Sequence, residues 1–586
     1  MISQDPPLTG DGVADVLDAA GYVNGTLGPL KKFTGTAFIP RKLRVLMVGA
    51  GVSGIQFAKD VSSKMQEIDL EIYDKNPALG GTWYENRYPG CACDVPAHTY
   101  QFSWEPNPRW SKFYAPAAEI CEYLNDVVDK HDLRKYMHFN HKVVQAEWLE
   151  SSSTWKIDLE ATDSDGKTSV VTRECDIFLK GIGTLNNWRW PDIDGLHGFK
   201  GHLMHTANWD ESVDLTGKTV AVIGNGASGV QCVAALQPNV KQLWNYMRTS
   251  SWMLPHVFSG GNVQSDYTKE EKERFANDPE FYYEYRRQLE VTLAGGFEAL
   301  WRGSIAQEDL KKTTLKHMAE KIKDPKTLKA LSPTFEIGCR RFTPGDHYLH
   351  ALQQDNCTIV SDKITRITES GIVDETGVER KIDAIICCTG FDASYEPRFP
   401  TYGINGYPLS ANWGRDKPTE SYMGTCVANF PNLFVFMAPI CPVLGSAFPG
   451  IESTSDYIRR LIERIQIDRI KSLTVKQEAQ TMFNVWAQSR MQEMAWSGNC
   501  KSWYKNSKGK VFIPWPGTAM HYVETTKIIR WEDFDYVFED PKNKYASLGN
   551  GIPSLGVAPE YPVWLGLPPS FELVQNGLKI PGHIPN

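Results

Sequence analysis

Apolar runs that end in glycine recur along the 586-residue chain, and they predict two similar arrangements of strand, turn and helix. Residues 44–54 have the sequence RVLMVGAGVSG, and they are followed by apolar residues at helical spacing and by a second strand at 70–74. Residues 219–229, TVAVIGNGASG, lead in the same way into a helix and a strand at 242–248. This repeated order of elements predicts two doubly wound α/β units.

Three further segments have a different character. Residues 176–179 and 383–386 each begin with an acid and continue as an apolar strand that ends near a glycine. Residues 265–333 are dense in Glu, Lys, Arg and Ala, so we expect a helical insertion there. Residues 345–383 return to a pattern of short strands, and the segment from about 551 is rich in Pro and Gly.

Composition narrows the class of protein. Proteins that bind nucleic acids usually carry a surplus of basic residues, so the formal net charge of −8 argues against a nucleic-acid partner. No apolar run has the length of a membrane span, and the first residues lack the features of a secretory signal. The 12 cysteines show neither metal-ligand spacing nor a disulfide pattern, so we expect a reducing, cytoplasmic location and no metal.

Both glycine runs stand between a strand and a helix, which is the context that gives a dinucleotide-binding motif its meaning. The first glycine permits a tight turn, the second admits a pyrophosphate, and the third allows close packing of helix on strand. The helix N-terminus then faces the anion. The predicted phosphate-binding residues are Gly49, Gly51, Ser53 and Gly54 in the first loop, and Gly224, Gly226, Ser228 and Gly229 in the second.

The two loops differ in the residue that ends the following strand. Asp74 stands 20 residues after Gly54, and its carboxylate suits the hydroxyl groups of a ribose. Arg248 stands 19 residues after Gly229, where a guanidinium suits a 2′-phosphate. We therefore expect FAD at the first loop and NADPH at the second.

The predicted fold class is α/β, with two Rossmann-like doubly wound dinucleotide-binding domains and a helical insertion. The predicted divisions are an N-terminal extension (1–43), an FAD-binding domain (44–176 and 384–550), an NADPH-binding domain (177–264 and 334–383), the helical insertion (265–333) and a C-terminal tail (551–586).

FAD beside NADPH is compatible with disulfide reduction, N- or S-oxygenation, hydroxylation and Baeyer–Villiger insertion. A disulfide reductase needs a redox-active cysteine pair beside the flavin, and no pair has that spacing here. The pattern therefore favours oxygen activation.

Two long motifs resemble those of type I Baeyer–Villiger monooxygenases. Residues 199–210, FKGHLMHTANWD, match the FxGxxxHxxxW fingerprint through Phe199, Gly201, His205 and Trp209. The related N-oxygenating enzymes continue differently after the histidine. Residues 80–90, GGTWYENRYPG, match a second motif that closes with Asp94.

Shorter matches extend this resemblance over residues 44–530. They are CTGF at 388–391, PNLF at 431–434 and SWY at 502–504. The long N-terminus and the Pro-rich C-terminus resemble those of fungal members.

The resemblance implies roles for individual residues. Arg341 matches the family's catalytic arginine and Asp94 its partner acid, although the adjacent Arg340 leaves open which arginine is catalytic. Arg340, with Arg248 and Thr249, is the implied 2′-phosphate ligand, and His205 has a conformational role between domains. Further implied cofactor contacts are Gly81, Thr82, Trp83, Asp94 and Trp503, and the substrate candidates are Leu444, Ser446 and Phe448.

The activity implied is insertion of one oxygen atom of O₂ beside a ketone carbonyl, giving an ester or lactone with NADPH as reductant. In this family the reaction passes through a C4a-peroxyflavin and a Criegee intermediate, whose negative charge an arginine stabilises. An S- or N-oxygenating enzyme and a catalytically silent nucleotide-binding protein are the alternatives. The expected partners are a small ketone and O₂, with no obligatory protein partner evident.

Overall fold

The computed structural model describes residues 35–255 and 266–552, together with the backbone of four short strands beyond them. The predicted N-terminal extension and C-terminal tail lie mostly outside these residues. Their described ends meet, since Ala37 and Phe38 donate backbone hydrogen bonds to the carbonyl groups of Ile552 and Ser547. No helix within the described residues is long and apolar enough to cross a membrane.

The strands are β1 Tyr22–Val23, β2 Thr26–Leu27, β3 Leu43–Val48, β4 Ile68–Tyr73, β5 Met137–His138, β6 His141–Leu149, β7 Thr154–Thr162, β8 Thr168–Cys175, β9 Ile177–Lys180, β10 His202–His205, β11 Thr219–Ile223, β12 Gln242–Tyr246, β13 Met253–Leu254, β14 Thr343–Pro344, β15 Cys357–Val360, β16 Ile364–Thr368, β17 Gly371–Asp374, β18 Glu379–Lys381, β19 Ala384–Cys387, β20 Thr401–Tyr402, β21 Leu433–Val435, β22 Ile470–Val475, β23 Phe534–Phe538, β24 Leu573–Gln575 and β25 Leu578–Ile580. The helices are α1 Val52–Lys64, α2 Thr82–Glu85, α3 Ala117–Lys130, α4 Ala227–Leu236, α5 Lys269–Asn277, α6 Pro279–Gly295, α7 Ile305–Lys321, α8 Pro325–Leu331, α9 Asp346–Ala351, α10 Ala447–Ile467, α11 Gln477–Met491 and α12 Ala519–Thr526.

The first glycine loop belongs to a five-stranded parallel sheet with the order β21-β9-β3-β4-β5. The near-continuous burial of β3 fits a strand that is covered on both faces. The chain leaves β3 toward β4 on one side and later returns as β9 on the other. The carboxyl end of β3 is therefore a topological switch point, where doubly wound sheets bind their ligands.

The second glycine loop occupies the same place in a second parallel sheet, of order β10-β19-β11-β12-β15. Here β11 is the central strand, with β12 on one side and β19 on the other, and the loop after β11 leads into α4. Two such sheets confirm the predicted fold class.

Two strands belong to a different sheet from the one that the predicted domain boundaries assign to them. β9 begins at residue 177 yet pairs with β3 in the first sheet, and β19 begins at residue 384 yet pairs with β11 in the second. Both strands show the same pattern of an acid followed by apolar residues. The pattern identifies a buried strand but not the sheet it joins, because pairing is a long-range property.

The segment predicted to be a helical insertion contains α5 to α8. Capping residues explain where these helices begin: Thr268 and Glu271 form a capping box, and the Asp324 carboxylate accepts hydrogen bonds at the start of α8. The strand pattern predicted for 345–383 is correct for β15 to β18 only, because the segment begins with α9. Tyr348 and Leu349 of α9 are fully buried, and α9 packs against α4.

Candidate active site

A cavity of about 1880 Å³ opens at the carboxyl ends of β3 and β11. Both glycine loops line it, as do Asp94, Arg341 and Trp503. A pocket for one small ligand has a volume of roughly 300–1,000 Å³. The cavity therefore has room for more than one ligand, as a two-nucleotide enzyme requires.

The first loop is built for close backbone approach. Gly49 has a φ of +108°, and a Cβ added to it would lie 2.4 Å from the Gly181 carbonyl oxygen. Gly51 faces Gly81, which brings the loop of the second family motif against the first loop. A Cβ on Gly54 would lie 2.2 Å from the Gly49 carbonyl oxygen, so this position admits only glycine between helix and strand. The cradle fits the pyrophosphate of FAD.

Asp74 is buried at the end of β4 and lines the same cavity. Its carboxylate accepts hydrogen bonds from the backbone N–H of Ala50 and of Asn76, each at 2.8 Å. Burial raises the pKa of this carboxyl group, and the two backbone hydrogen bonds oppose that rise. A carboxylate has about four acceptor positions. Asp74 can therefore hold the glycine turn and still accept a ribose hydroxyl.

The second loop repeats this design. Gly224 has a φ of +117°, and a Cβ on Gly229 would lie 2.4 Å from the Gly224 carbonyl oxygen. Between them, the Asn225 side chain is buried and its amide nitrogen has no hydrogen-bond partner within the described part of the chain. A buried donor without an acceptor is costly. An acceptor-rich group such as a nucleotide pyrophosphate satisfies it.

Arg340 lies with Arg248 and Thr249 on the wall beside the second loop. Its Nη1 donates to the Ser250 carbonyl oxygen at 3.4 Å, and its Nε has no hydrogen-bond partner among the described residues. Burial, followed by the nearby positive charge of Arg248, lowers the pKa of Arg340. Two cations held together in this way fit the 2′-phosphate of NADPH.

Arg341 points to a different group from its neighbour. Its Nε and Nη2 donate to the two carboxylate oxygens of Asp94 at 2.7 and 2.6 Å, and its Nη1 approaches the Val443 carbonyl oxygen at 3.5 Å. The charge of Asp94 raises the pKa of Arg341 above its usual range, so the guanidinium is always charged. Of the two adjacent arginines, Arg341 is thus the one that contacts Asp94.

Trp83 and Trp503 bring aromatic rings to the cavity wall. Trp83, next to Gly81 and Thr82, meets the ring of Tyr100 edge-on with centroids 5.4 Å apart. Trp503 packs against Tyr504 at 4.5 Å, on the segment that follows α11. Gly81, Thr82 and both tryptophans line the cavity, as predicted cofactor contacts should.

His205 is fully buried where two connecting segments of the chain meet. Its Nδ1 accepts from the Ala207 N–H at 3.1 Å, and its Nε2 lies 3.2 Å from the Thr389 hydroxyl. Its ring stacks on Trp188 with centroids 4.8 Å apart. Burial lowers the pKa of His205 to about 4, so the ring is neutral at physiological pH.

The other fingerprint residues are structural in their surroundings. Phe199 is buried under the second sheet, and Trp209 packs against the apolar core on the opposite face. A Cβ on Gly201 would lie 2.4 Å from the Asp383 carbonyl oxygen. None of these three described residues lines the cavity, in contrast to the glycine loops.

The predicted substrate candidates do not line the cavity, whereas the residues next to them in the chain do. Of the described residues in this loop, Val443, Gly445 and Ala447 line the cavity, whereas Leu444, Ser446 and Phe448 do not. Ser446 caps the start of α10, and Phe448 packs edge-on against the rings of Tyr100 and Phe102. The loop therefore reaches the cavity through other positions than those predicted, and its contact with a substrate stays a prediction.

The cysteines also depart from the prediction. Ten are free, but Cys339 and Cys500 form a disulfide across 161 residues of sequence. Sequence analysis missed this pair because neither cysteine has a spacing motif. Other functional neighbours that it missed are Trp188 and Thr389, which surround His205, and Tyr504 beside Arg341. Thr389 and Tyr504 lie inside the matched motifs CTGF and SWY, so the sequence could have indicated these two residues as site candidates.

Comparison with known proteins places these features in context. A family model described as flavin-binding monooxygenase-like matches residues 42–268. The chain is 38% identical over 518 residues to the FAD-binding monooxygenase moxY of Dothistroma septosporum, covering 87% of this chain and 82% of that protein. It is 34% identical over 491 residues to a Baeyer–Villiger monooxygenase of Pseudomonas aeruginosa, covering 83% and 90%.

A solved structure agrees. The crystal structure of cyclohexanone monooxygenase from Rhodococcus sp. Phi1, bound to NADP⁺, matches with a TM-score of 0.74 and 26% identity. The match covers 85% of this chain and 100% of that one.

Proposed function

Because the chain belongs to the Baeyer–Villiger monooxygenases, FAD- and NADPH-dependent enzymes of the flavin-binding monooxygenase-like family, we propose that it inserts an oxygen atom beside a ketone carbonyl. The product is an ester or a lactone, and O₂ is the oxygen source. The predictions of family, FAD and NADPH are confirmed by these relatives.

Bound FAD, with NADPH as its reductant, would supply the activation of O₂ for this reaction. The first loop with Asp74 holds the FAD nucleotide, and the second loop with Arg248, Thr249 and Arg340 holds NADPH. Both loops line the same cavity, so the two nucleotides would lie within reach of one another.

The observation that carries the proposal is the Asp94–Arg341 pair on the cavity wall. Oxygen insertion next to a carbonyl develops negative charge on the reacting oxygen atoms. A fixed guanidinium at that place stabilises the charge without reorganisation, because Asp94 already holds it in one orientation. Asp94 is thus a positioning residue for the Arg341 guanidinium.

Apolar side chains also line the cavity. Val443 contacts the Arg341 guanidinium through its carbonyl oxygen, and Ala447, Ile451, Met437 and Phe512 add apolar surface to the cavity lining. Such a surface excludes water and favours a hydrophobic ketone. A small-molecule ketone is therefore the proposed substrate class. The proposed location of the protein is the cytoplasm.

S- or N-oxygenation is the second candidate function, because it uses the same cofactors. It oxidises an electron-rich atom and develops no comparable oxyanion on the substrate, so it needs Arg341 less. The bidentate fixing of Arg341 favours ketone oxidation over this alternative.

Substitution of the arginine separates the two functions. We expect Arg341→Ala to lower ester or lactone formation by roughly 10²- to 10³-fold, since loss of one oxyanion donor costs about 3–4 kcal/mol. The measurement is NADPH-dependent conversion of a panel of ketones and sulfides under ¹⁸O₂, with products identified by mass spectrometry.

Arg44→Ala is the matched control. Arg44 also forms a two-point ion pair, with Asp176, but on the surface. The Arg44→Ala variant should convert the ketones to the same extent as the wild type. Undiminished lactone formation by Arg341→Ala, or conversion of sulfides alone by the wild type, contradicts the proposal.

A further inference from the structure

The disulfide between Cys339 and Cys500 joins two segments that both line the active-site cavity. Cys339 immediately precedes Arg340 and Arg341. Cys500 precedes Lys501, Ser502 and Trp503, and all three line the cavity. An extended chain spans at most about 3.6 Å per residue. Trp503 and Arg341 are therefore both held within a few residues of the same covalent link.

Besides the disulfide, the buried side chains of Tyr504 and Phe512 attach the segment that carries Trp503 to the apolar core, and polar contacts hold the residues around them. The Asn499 N–H donates to Glu336 at 3.2 Å, the Ser507 hydroxyl donates to Asp416, and Lys510 pairs with Glu420 at 2.7 Å. These are polar contacts near the surface, and each contributes little to stability. The disulfide is the covalent link between this segment and the residues next to the arginines.

Lys505 lies against the disulfide. Its Nζ is 3.6 Å from the Cys339 sulfur and 4.0 Å from the Cys500 sulfur, and it donates to the Cys500 carbonyl oxygen at 3.2 Å. Cys339 is completely buried, whereas Cys500 keeps 7% of its surface exposed. A thiolate thus approaches Cys500 more easily, and Lys505 is placed to stabilise the Cys339 thiolate that leaves.

We propose that the Cys339–Cys500 disulfide is a redox-controlled positioning pair, which holds the Trp503 segment against Arg340 and Arg341 until a dithiol reduces it. The inference rests on the proposed roles of these arginines and of Trp503. In the reduced protein the segment opens more readily, and the hold on the nicotinamide nucleotide weakens.

Reduction of the disulfide takes two thiol–disulfide exchanges. One thiolate of the dithiol attacks the Cys500 sulfur, the S–S bond breaks, and Cys339 leaves as a thiolate that takes up a proton. The second thiol of the reductant then displaces Cys500. The protein gains two electrons and two protons as two thiols, and the dithiol becomes a disulfide.

Thiol counting and NADP⁺ binding test the proposal on the full-length FAD-loaded protein. In denaturant, alkylation of the unreduced protein should modify ten of the 12 cysteines, and prior treatment with dithiothreitol should make the remaining two reactive. The Kd for NADP⁺, measured by calorimetry, should then rise about tenfold, within the usual range of coupling between two sites. Trypsin should cleave after Lys501, Lys505 and Lys508 faster in the reduced protein.

Three variants distinguish a positioning role from a general effect of reductant. Cys500→Ser and the Cys339→Ser/Cys500→Ser double variant should bind NADP⁺ weakly from the start and show no response to dithiothreitol. Cys357→Ser removes a buried free cysteine of the NADPH-binding half, and it should keep the full response.

Either of two results overturns the proposal. One is modification of all 12 cysteines without reductant. The other is two new thiols after reduction with the Kd for NADP⁺ and the tryptic cleavage unchanged. Neither measurement involves a ketone, so an absence of ketone oxidation contradicts the proposed function and leaves this inference intact.

Discussion

Arg340 and Arg341 are adjacent in the chain, yet their guanidinium groups have different surroundings. Arg341 is bound at two points by Asp94, whereas Arg340 leans over the Phe335 ring at 4.9 Å and leaves its Nε free of any hydrogen bond within the described residues. A guanidinium with unused donors beside a second cation destabilises the site unless an anion is bound. This contrast supports Arg341 as the catalytic arginine and Arg340 as a phosphate ligand.

The 2′-phosphate assignment can be tested at Arg248. We expect Arg248→Ala to lower kcat/KM with NADPH by roughly 10- to 100-fold, because a hydrogen bond to a charged group contributes about 1.5–3 kcal/mol. The value with NADH, which has no 2′-phosphate, should stay within about twofold because that contact is absent. Steady-state kinetics with both nucleotides measure this difference.

The control for this prediction is Arg366→Ala. Arg366 is exposed on β16 and does not line the cavity within the described part of the chain. Arg366→Ala should leave kcat/KM unchanged with both NADPH and NADH. An equal loss with NADPH and NADH in Arg248→Ala would show that Arg248 supports the fold and does not recognise the phosphate.

At the scale of elements, each phosphate loop depends on a helix that packs directly on its own strand. The third glycine of each run makes this possible, because a side chain at Gly54 or Gly229 would collide with the carbonyl oxygen of the first glycine. The same glycines do not line the cavity among the described residues. These two glycines therefore shape the loops through the position of the helix.

Gly54→Ala should lower FAD occupancy and the midpoint of thermal unfolding together. The added methyl group overpacks the contact between α1 and β3, which costs about 1–3 kcal/mol or more. Flavin absorbance per protein and the thermal midpoint are the measurements. Full FAD occupancy with an unchanged midpoint would show that the close contact is not required.

Gly295→Ala is the matched control for this glycine. Gly295 has helical dihedral angles, and nothing lies within 4 Å of an added Cβ. Alanine is favoured over glycine in a helix by roughly 0.5–1 kcal/mol. The control should keep FAD and should unfold at the same or a slightly higher temperature.

At the scale of the whole molecule, His205 joins the connections between the two sheets. It ends β10 of the second sheet and contacts Thr389, just after β19, and Trp188, which follows β9 of the first sheet. Since Nδ1 accepts from the Ala207 N–H, Nε2 carries the proton and donates to Thr389. This neutral, two-sided arrangement supports a conformational role and not proton transfer.

His205→Gln and His205→Ala should therefore behave differently. Glutamine keeps a donor and an acceptor, so it should retain most activity, whereas alanine should lower kcat and weaken coupling of NADPH oxidation to product. Because the pKa of His205 is about 4, its titration should leave no inflection in the kcat/KM profile of the wild type between about pH 6 and 9. Equal loss in both variants would favour proton transfer.

The same pKa predicts a direction for stability. The unfolded chain protonates this histidine below about pH 6.5, while the folded protein does so only near pH 4. The unfolded state therefore binds more protons in this window, and the free energy of unfolding should fall as the pH decreases through it. His205→Gln should reduce that slope in denaturant titrations.

Periodicity and glycine spacing were sufficient to predict the strands at 44–48 and 219–223 and both glycine loops, and amino-acid composition was sufficient to predict the helical insertion, because all of these depend on the local sequence. The resemblance through two motifs predicted the family and its cofactors. Asp94 and Arg341 were paired from the resemblance, and the roles of the site residues stay predictions.

Long-range geometry decided the rest. Which sheet β9 and β19 join, which side of the Val443 loop faces inward and which of two neighbouring arginines meets Asp94 all depend on contacts between distant segments. The Cys339–Cys500 disulfide is of the same kind, since it closes 161 residues without any local pattern. Sequence alone determined the local elements and the chemistry of the family, whereas only the tertiary structure decided how distant side chains meet, because their meeting is fixed by packing and not by spacing along the chain.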